Sequence, residues 1–404
     1  MLDPLGPPPA WLRTFVEPYA LRLNSPTLAD HIHEVFLAFA FYQFIHSFLS
    51  PWLSPILFPT HYNKLNARTK LNWDIHVVSL VQSVLINVAA LWIMFVDTER
   101  GQMSTGERVF GYTGACGLIQ ALAVGYFLYD LIVSVVHVNM FGIGLLFHAA
   151  SALWVFSLGF RPFVNYYAPV FILYELSSPF LNIHWFLDKV NMTGSRVQWY
   201  NGMLLLSVFF CCRLVWGTWH SIMIYKDMWY ALQQTWSAAA SPLQAPATVN
   251  AHVFRLDSGS VCIDETCARA NAEIARFKDF TATGVPTWLV VTYVTSNLIL
   301  NFLNYFWFSK MVETVLKRFR TPAASAGKPD QKENVKISEK KDLHENIPQG
   351  VILEAAAKLE EQEGGRGELG LTPEQISSAI DAGLGEDLRR RRAELVAKVP
   401  LPGS

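Results

Sequence analysis

The chain is poor in charge: Asp, Glu, Lys and Arg make up 16% of its 404 residues, against about 25% in an average soluble protein. That shortage excludes an ordinary solvated globule. The two signs almost cancel, at a net charge of −1, so there is no overall field to attract a strongly charged partner, and no nucleic-acid partner is expected. Cysteine is scarce as well. Its 5 residues are too few and too scattered for a disulfide framework or a zinc ribbon, and Cys116, Cys211 and Cys212 fall in apolar runs as small packing residues. The sequence holds no HExxH and no dense His/Cys/carboxylate spacing, so no metal is expected, and nothing marks a cofactor. It has no basic start followed by an apolar run of about 7–15 residues and a cleavage site, so no cleavable signal peptide is expected and a transmembrane helix must provide membrane entry. No repeat of solenoid period occurs.

Hydrophobic residues are plentiful instead, at 51%, with 13% aromatic. About 20 mainly apolar residues cross a bilayer core, and on that rule the spans expected are 30–50, 73–96, 113–136, 141–160, 164–187, 201–224 and 286–309. The expected fold is an all-α integral membrane protein with about seven transmembrane helices. The first run carries His31, His33, Glu34, Gln43 and His46, so an interfacial helix is its alternative reading.

Basic residues orient the spans. Lys64, Arg68 and Lys70, then Lys189 and Arg196, then Lys310, Lys317, Arg318 and Arg320 share one side if there are seven crossings. The N-terminus is then lumenal and the C-terminus cytosolic. The hydrophilic loop 226–285 is the largest lumenal feature. Within it Cys262 and Cys267 form either a small disulfide, in an oxidising lumen, or two free thiols. The sequon Asn191-Met-Thr193 falls on the cytosolic side and is expected to stay unglycosylated. Three parts result: an N-terminal segment 1–67, a membrane domain 68–315 and a cytosolic tail 321–404. The tail reads as a disordered linker over Thr321–Asn346, followed by short helices near 349–363 and 373–397, the second opening at Thr372-Pro373. Arg389 to Arg392 read as a solvated helix end, with anionic lipid or a protein partner as the alternative.

Inside the spans, polar residues are costly unless paired or turned to a polar cavity. The most informative stretch is Glu175-Leu-Ser-Ser-Pro-Phe-Leu-Asn182. Glu175, Ser178 and Asn182 share one helical stripe, and Pro179 predicts a kink or a locally opened helix beside the carboxylate. The stripe is either the wall of an intramembrane pocket or half of an ion pair that fixes packing. Asp130 is similarly deep, with His137 seven residues on; His148 sits mid-span; Arg213 has His220 on its face. A carboxylate beside a histidine at low dielectric can do general acid–base work, which makes His148, Glu175 and Asp130 the candidate catalytic set. His148 reads equally as a hydrogen-bonded core histidine. Arg213 is the natural counter-ion of Glu175 or Asp130, or a holder of a lipid headgroup. Asp74 and His76 lie near a span end and read as solvated. Gly111, Gly114 and Gly117 make a small-residue face that packs within the bundle or between copies, so a homodimer stays open.

Together the blocks Lys70-Leu-Asn-Trp73, His76-Val-Val-Ser79, Gly125-Tyr-Phe-x-x-Asp130, Phe147-His148-Ala-Ala-Ser151, Glu175 to Asn182 with Trp185, and Asn201-Gly with Arg213 resemble the TLC-domain family. That family includes ceramide synthases, translocon-associated TRAM proteins and smaller TLC-domain proteins, and the Glu175 block looks most like the last group. The resemblance implies a six-helix barrel-like bundle built from spans two to seven around a lipid-accessible cavity, with His137, His148, Asp130, Glu175, Ser178, Asn182 and Arg213 as its polar lining. Ceramide synthases carry adjacent histidines where this chain has Phe147-His148, and a His-Asp motif where it has the Glu175 block. These departures favour a lipid-binding or lipid-sensing protein of the endoplasmic reticulum membrane, active in lipid homeostasis. The alternatives are a CoA-dependent lipid acyltransferase with His148 as base and acyl-CoA as substrate, and a scaffold or trafficking factor that recruits cytosolic partners by its tail. The expected partner is a membrane lipid: an acyl chain, sphingolipid or phospholipid.

Overall fold

The computed structural model describes residues 1–239, 253–255 and 265–320, and among them there are helices and connecting turns but no strand. All described residues belong to one unit, Met1–Ala357; a second unit, Lys358–Ser404, lies outside the described residues, as do Cys262 and every tail feature expected above.

An exposed helix α1 (Ala10–Arg22) leads into α2 (Leu28–Leu57), which crosses a π-helical turn at Ile45–Leu49. Asn66 accepts a hydrogen bond from the Thr69 N–H and starts α3 (Ala67–Val96), while Ser104 and Glu107 close a capping box on the short α4 (Thr105–Phe110). Thr113 caps α5 (Gly114–Val136), which is followed by α6 (Ile143–Leu158). The run 168–189, here α7, is broken: an α turn at Ala168–Ile172, a 3-10 turn at Leu173–Ser177 and a second α segment, Ser178–Lys189. Ser195 caps α8 (Arg196–Ala238), which contains a second π turn at Phe210–Trp216. The amphipathic α9 (Glu265–Ile274) and the long α10 (Thr287–Arg320) complete the described chain.

Among the described residues five helical stretches are long and apolar enough to cross a membrane: α2, α3, α4 with α5, α8 and α10. The other two expected spans differ from expectation. At 16 residues α6 is about 24 Å long, short of a core about 30 Å thick, and α7 is interrupted at Glu175. Pro179 lies in the first turn of the restarted segment, where its missing N–H costs no hydrogen bond. Outward faces carry many large apolar side chains, with Phe95 81% exposed and Phe302 70% exposed, whereas Gln82, Ser83, Asn87 and Asn182 are buried inside.

α5 is the central element, packed between α2 and α6. Its glycines set the spacing. A Cβ at Gly125 would meet Ala38 Cβ at 2.6 Å, one at Gly117 would meet His31 Nε2, and one at Gly114 would meet the Asp3 backbone. Gly111 abuts Ile274, so the glycine face is used within the chain. At one end of the helices Arg108 makes two 2.7 Å hydrogen bonds to Asp227, which also accepts from Tyr167 at 2.6 Å, and Arg276 pairs with Asp30 at 2.8 Å. At the other end Arg68 reaches the Met140 carbonyl, and Trp73 packs on Phe186. Asp74 departs from its expected solvated state. α2 folds over it, so that it is buried and accepts from Ser50 at 2.6 Å and from Tyr62 at 3.2 Å.

Candidate functional site

The 3-10 turn of α7 sets Glu175 at a seam bounded by α3, α8 and α10. A 3-10 turn advances fewer residues per turn than an α-helix, which brings Glu175 and Ser178 into line: the Ser178 hydroxyl donates to Glu175 Oε2 at 2.6 Å. Arg213, inside the π turn of α8, faces the other carboxylate oxygen, with Nη2 3.5 Å from Glu175 Oε1. Its Nε donates to Ser177 Oγ and its Nη1 to Asn304 Oδ1, each at 3.2 Å, and the guanidinium lies 5.0 Å from the centre of the Phe209 ring. Four groups thus fix one cation.

Asn182, one turn further along α7, looks to α3. Its amide donates to Ser79 Oγ at 3.0 Å and its carbonyl accepts from His76 Nδ1 at 2.7 Å, while the His76 ring stacks on Trp185 at 4.1 Å. The stripe read from sequence is therefore a hinge of polarity between two neighbouring helices: its first residue serves α8 and its last serves α3.

Asp130 lies on α5, and its charge and that of Glu175 act on one another. Among the described residues Asp130 has no hydrogen-bond partner. Arg213 therefore takes Glu175, not Asp130, as its counter-ion. His137 caps the far end of α5 and lies in the field of His46, so it belongs to the helix end and not to the Glu175 seam. His148 lies on α6, the helix packed against α5, and its side chain lies outside the described residues. Cys267 carries a disulfide bond.

A cavity of about 110 Å³ opens next to the seam, on a scale where a single water takes about 10–15 Å³. Phe156, Phe171, Tyr174, Tyr225, Tyr293 and Asn297 are among its lining residues. Tyr174 precedes Glu175 in sequence and donates to Asn301 at 3.3 Å, and Tyr225 donates to Asn297 at 2.7 Å. The walls are apolar and aromatic with a few fixed polar groups, the usual make-up of a small-molecule pocket.

Several residues of this site escaped the sequence reading. Asn297, Asn301 and Asn304 stand at i, i+4 and i+7 on α10, a helical stripe of polarity inside an apolar run; on α3 Ser83 extends a second stripe that begins with His76, expected to be solvated but buried here, and Ser79. Gln82 is buried beside the second stripe, with neither amide atom hydrogen-bonded.

Residues 72–313 match the family model of the TLC domain shared by the TRAM, LAG1 and CLN8 proteins. An uncharacterized TLC domain-containing protein of Schizosaccharomyces pombe is 36% identical over 311 residues, covering 77% of this chain and 87% of that protein. Topoisomerase I damage affected protein 4 of Saccharomyces cerevisiae is 26% identical over 310 residues, covering 75% and 90%. TLC domain-containing protein 4 of Homo sapiens is 28% identical over 181 residues, covering 44% of this chain and 67% of its own.

Proposed function

This chain belongs to the TLC domain family, and from that premise we propose that it binds a lipid at the Glu175–Arg213 seam and acts in membrane lipid homeostasis. One observation carries the reading. The two charged side chains keep 14% and 26% of their surface exposed among helices whose outer faces are apolar. A pair that served packing alone would be sealed, because an open charge at membrane depth is costly unless water or a polar headgroup meets it. The adjoining aromatic cavity is suited to the apolar part of the same ligand.

The proposal includes seven crossings, α2, α3, α5, α6, α7, α8 and α10, with the last six as the barrel-like bundle and the N-terminus lumenal in the endoplasmic reticulum. Supporting it, successive connections gather alternately at the two ends described above, and Lys64, Arg68, Lys70, Lys189 and Arg196 share one of them. A second reading, acyl transfer from acyl-CoA, has its own observation: the unpartnered carboxylate of Asp130 on the helix that packs against the His148 helix, a base and its orienting group in the family of arrangements that serve proton transfer.

Lipidomics of cells that express Glu175→Gln or His148→Ala at wild-type protein level tests both. Altered lipid composition with Glu175→Gln is expected, and normal lipids in both variants would sink the polar-seam reading. Acyl-CoA incorporation by the purified protein that vanishes with His148→Ala would make acyl transfer the primary function.

A further inference from the structure

We propose that Asp3, His33 and Glu34 form a binding site for a divalent first-row metal ion, with zinc the best match, at the N-terminal turns of α2. One ligand atom from each residue lies within 4.8 Å of the other two. Bonds of about 2.0–2.2 Å hold tetrahedral zinc, so small side-chain rotations close the site around an ion.

The local hydrogen bonding leaves ligand-type atoms free to take an ion. Glu34 is 0% exposed, yet among the described residues its Oε1, which lies against Asp3, has no well-aligned hydrogen-bond donor, and neither ring nitrogen of His33, beside the Gly6 and Asp30 backbones, has a well-aligned partner. Buried polar atoms are nearly always satisfied, and here Glu34 Oε1 and one ring nitrogen of His33 converge with the Asp3 carboxylate. The other Glu34 oxygen is held: His31 Nδ1 lies 2.7 Å from Oε2, and His31 Nε2 lies 2.5 Å from the Tyr112 hydroxyl. A ligand carboxylate fixed through a hydrogen-bonded histidine is the outer-shell support that metal sites use. Two of the glycines of α5 make room for it, Gly117 for His31 and Gly114 for Asp3.

Charge points the same way. The nearby cations Arg13 and Arg276 are both taken by Asp30, at 3.4 and 2.8 Å. Two carboxylates, Glu34 buried and Asp3 partly exposed with its Oδ1 accepting from the Leu5 N–H at 3.0 Å, therefore meet at one imidazole. A single proton shared between Asp3 and Glu34 would relieve their repulsion but would leave His33 unpaired; a dication meets all three ligands and leaves no net charge. The imidazole nitrogen favours zinc over magnesium or calcium, and three protein ligands leave one position for water. Sequence spacing hides the site, because Asp3 arrives from thirty residues before His33.

The test uses the full chain without a histidine tag, purified in detergent, stripped with chelator and titrated with zinc chloride. Bound metal is counted by elemental analysis and stability is followed by tryptophan fluorescence. One zinc per chain and a raised melting temperature are expected, both lost in His33→Ala and Glu34→Gln. Asp3→Asn, which lies outside every helix, provides a variant whose fold is preserved and whose affinity falls. His31→Ala, a positioning residue, weakens binding by about 10–100-fold. Zinc retained equally by His33→Ala and wild type would overturn the proposal, and so would a wild type that binds none while Glu34→Gln melts higher, the mark of a shared proton.

Discussion

Replacing Arg213 by Met strips Glu175 of the cation it pairs with among the described residues and roughly keeps the length of the side chain. At 3.5 Å and an effective dielectric near 20, the attraction between the two charges is about 5 kcal/mol before desolvation. Partial exposure of both side chains reduces the usable part to about 1–3 kcal/mol. The single variant loses more than that, about 3–5 kcal/mol, because a partly buried carboxylate is left beside a second one, Asp130, and because Ser177 and Asn304 lose their donor. Glu175→Gln alone strands the guanidinium in the same way. In the double variant both charges are gone, and the stability should recover toward wild type. Unfolding of all four proteins in detergent, followed by tryptophan fluorescence, gives the coupling energy directly. A coupling below about 0.5 kcal/mol would show that the two residues do not act as a pair, and the seam would lose its electrostatic basis.

Asp227→Asn should cost about 3–5 kcal/mol by the same unfolding assay, since Asp227 is the charged partner of the Arg108 fork, whose other acceptors are the neutral Met103 carbonyl and Thr105 hydroxyl. Gly117→Ala should cost about 1–3 kcal/mol through collision with the pinned His31 ring, whereas Gly101→Ala, which meets nothing within 4 Å, should leave the melting temperature unchanged. Burial pushes the Glu273 carboxyl above its ordinary value of 4.5, chiefly by desolvation. The folded chain therefore holds that proton more tightly than the unfolded one, and the group's contribution to stability is present at low pH and lost as pH rises through the raised value. Glu273→Gln should flatten that part of the stability–pH curve, and an unchanged curve would refute the assignment. Asn191 should remain unglycosylated in cells, as a gel-mobility assay with and without glycosidase would reveal; a glycan there would reverse the proposed orientation.

Hydropathy alone located α3, α8 and α10, because long apolar runs have few alternatives to a helix that crosses lipid. Proline 179 marked the break in α7, since a residue without an N–H restricts where a helix can restart. What local sequence could not supply was the third dimension. Asp74 sits near the start of its helix, and only the return of α2 across it converts a solvated position into a buried one. The choice of Glu175 over Asp130 as the partner of Arg213 depends on the rotation of α8, which its π turn sets. The Asp3 corner joins residues from opposite ends of a segment whose packing is decided by glycines on α5, eighty residues and more away in the chain. Asn304 is a different matter: its stripe on α10 was legible, and its meaning came only from the guanidinium opposite.

The π turn at Phe210–Trp216 makes the length of α8 a constraint as strict as its chemistry. A π turn houses an additional residue without changing the direction in which the following α segment faces, whereas a deletion from the regular α part of the helix turns everything on one side of it by about 100° relative to the other. Arg213 stands within that stretch, while Gly217, against Tyr174, and Ser221, bonded to Asn301, follow it. A single-codon deletion within the π turn would close the bulge and displace Arg213 while the flanks keep their facing, whereas one in the α segment on either side would leave every neighbouring side chain chemically intact and misalign the whole set at once. Tolerance to a one-residue deletion should therefore differ sharply between these seven residues and the α segments that flank them.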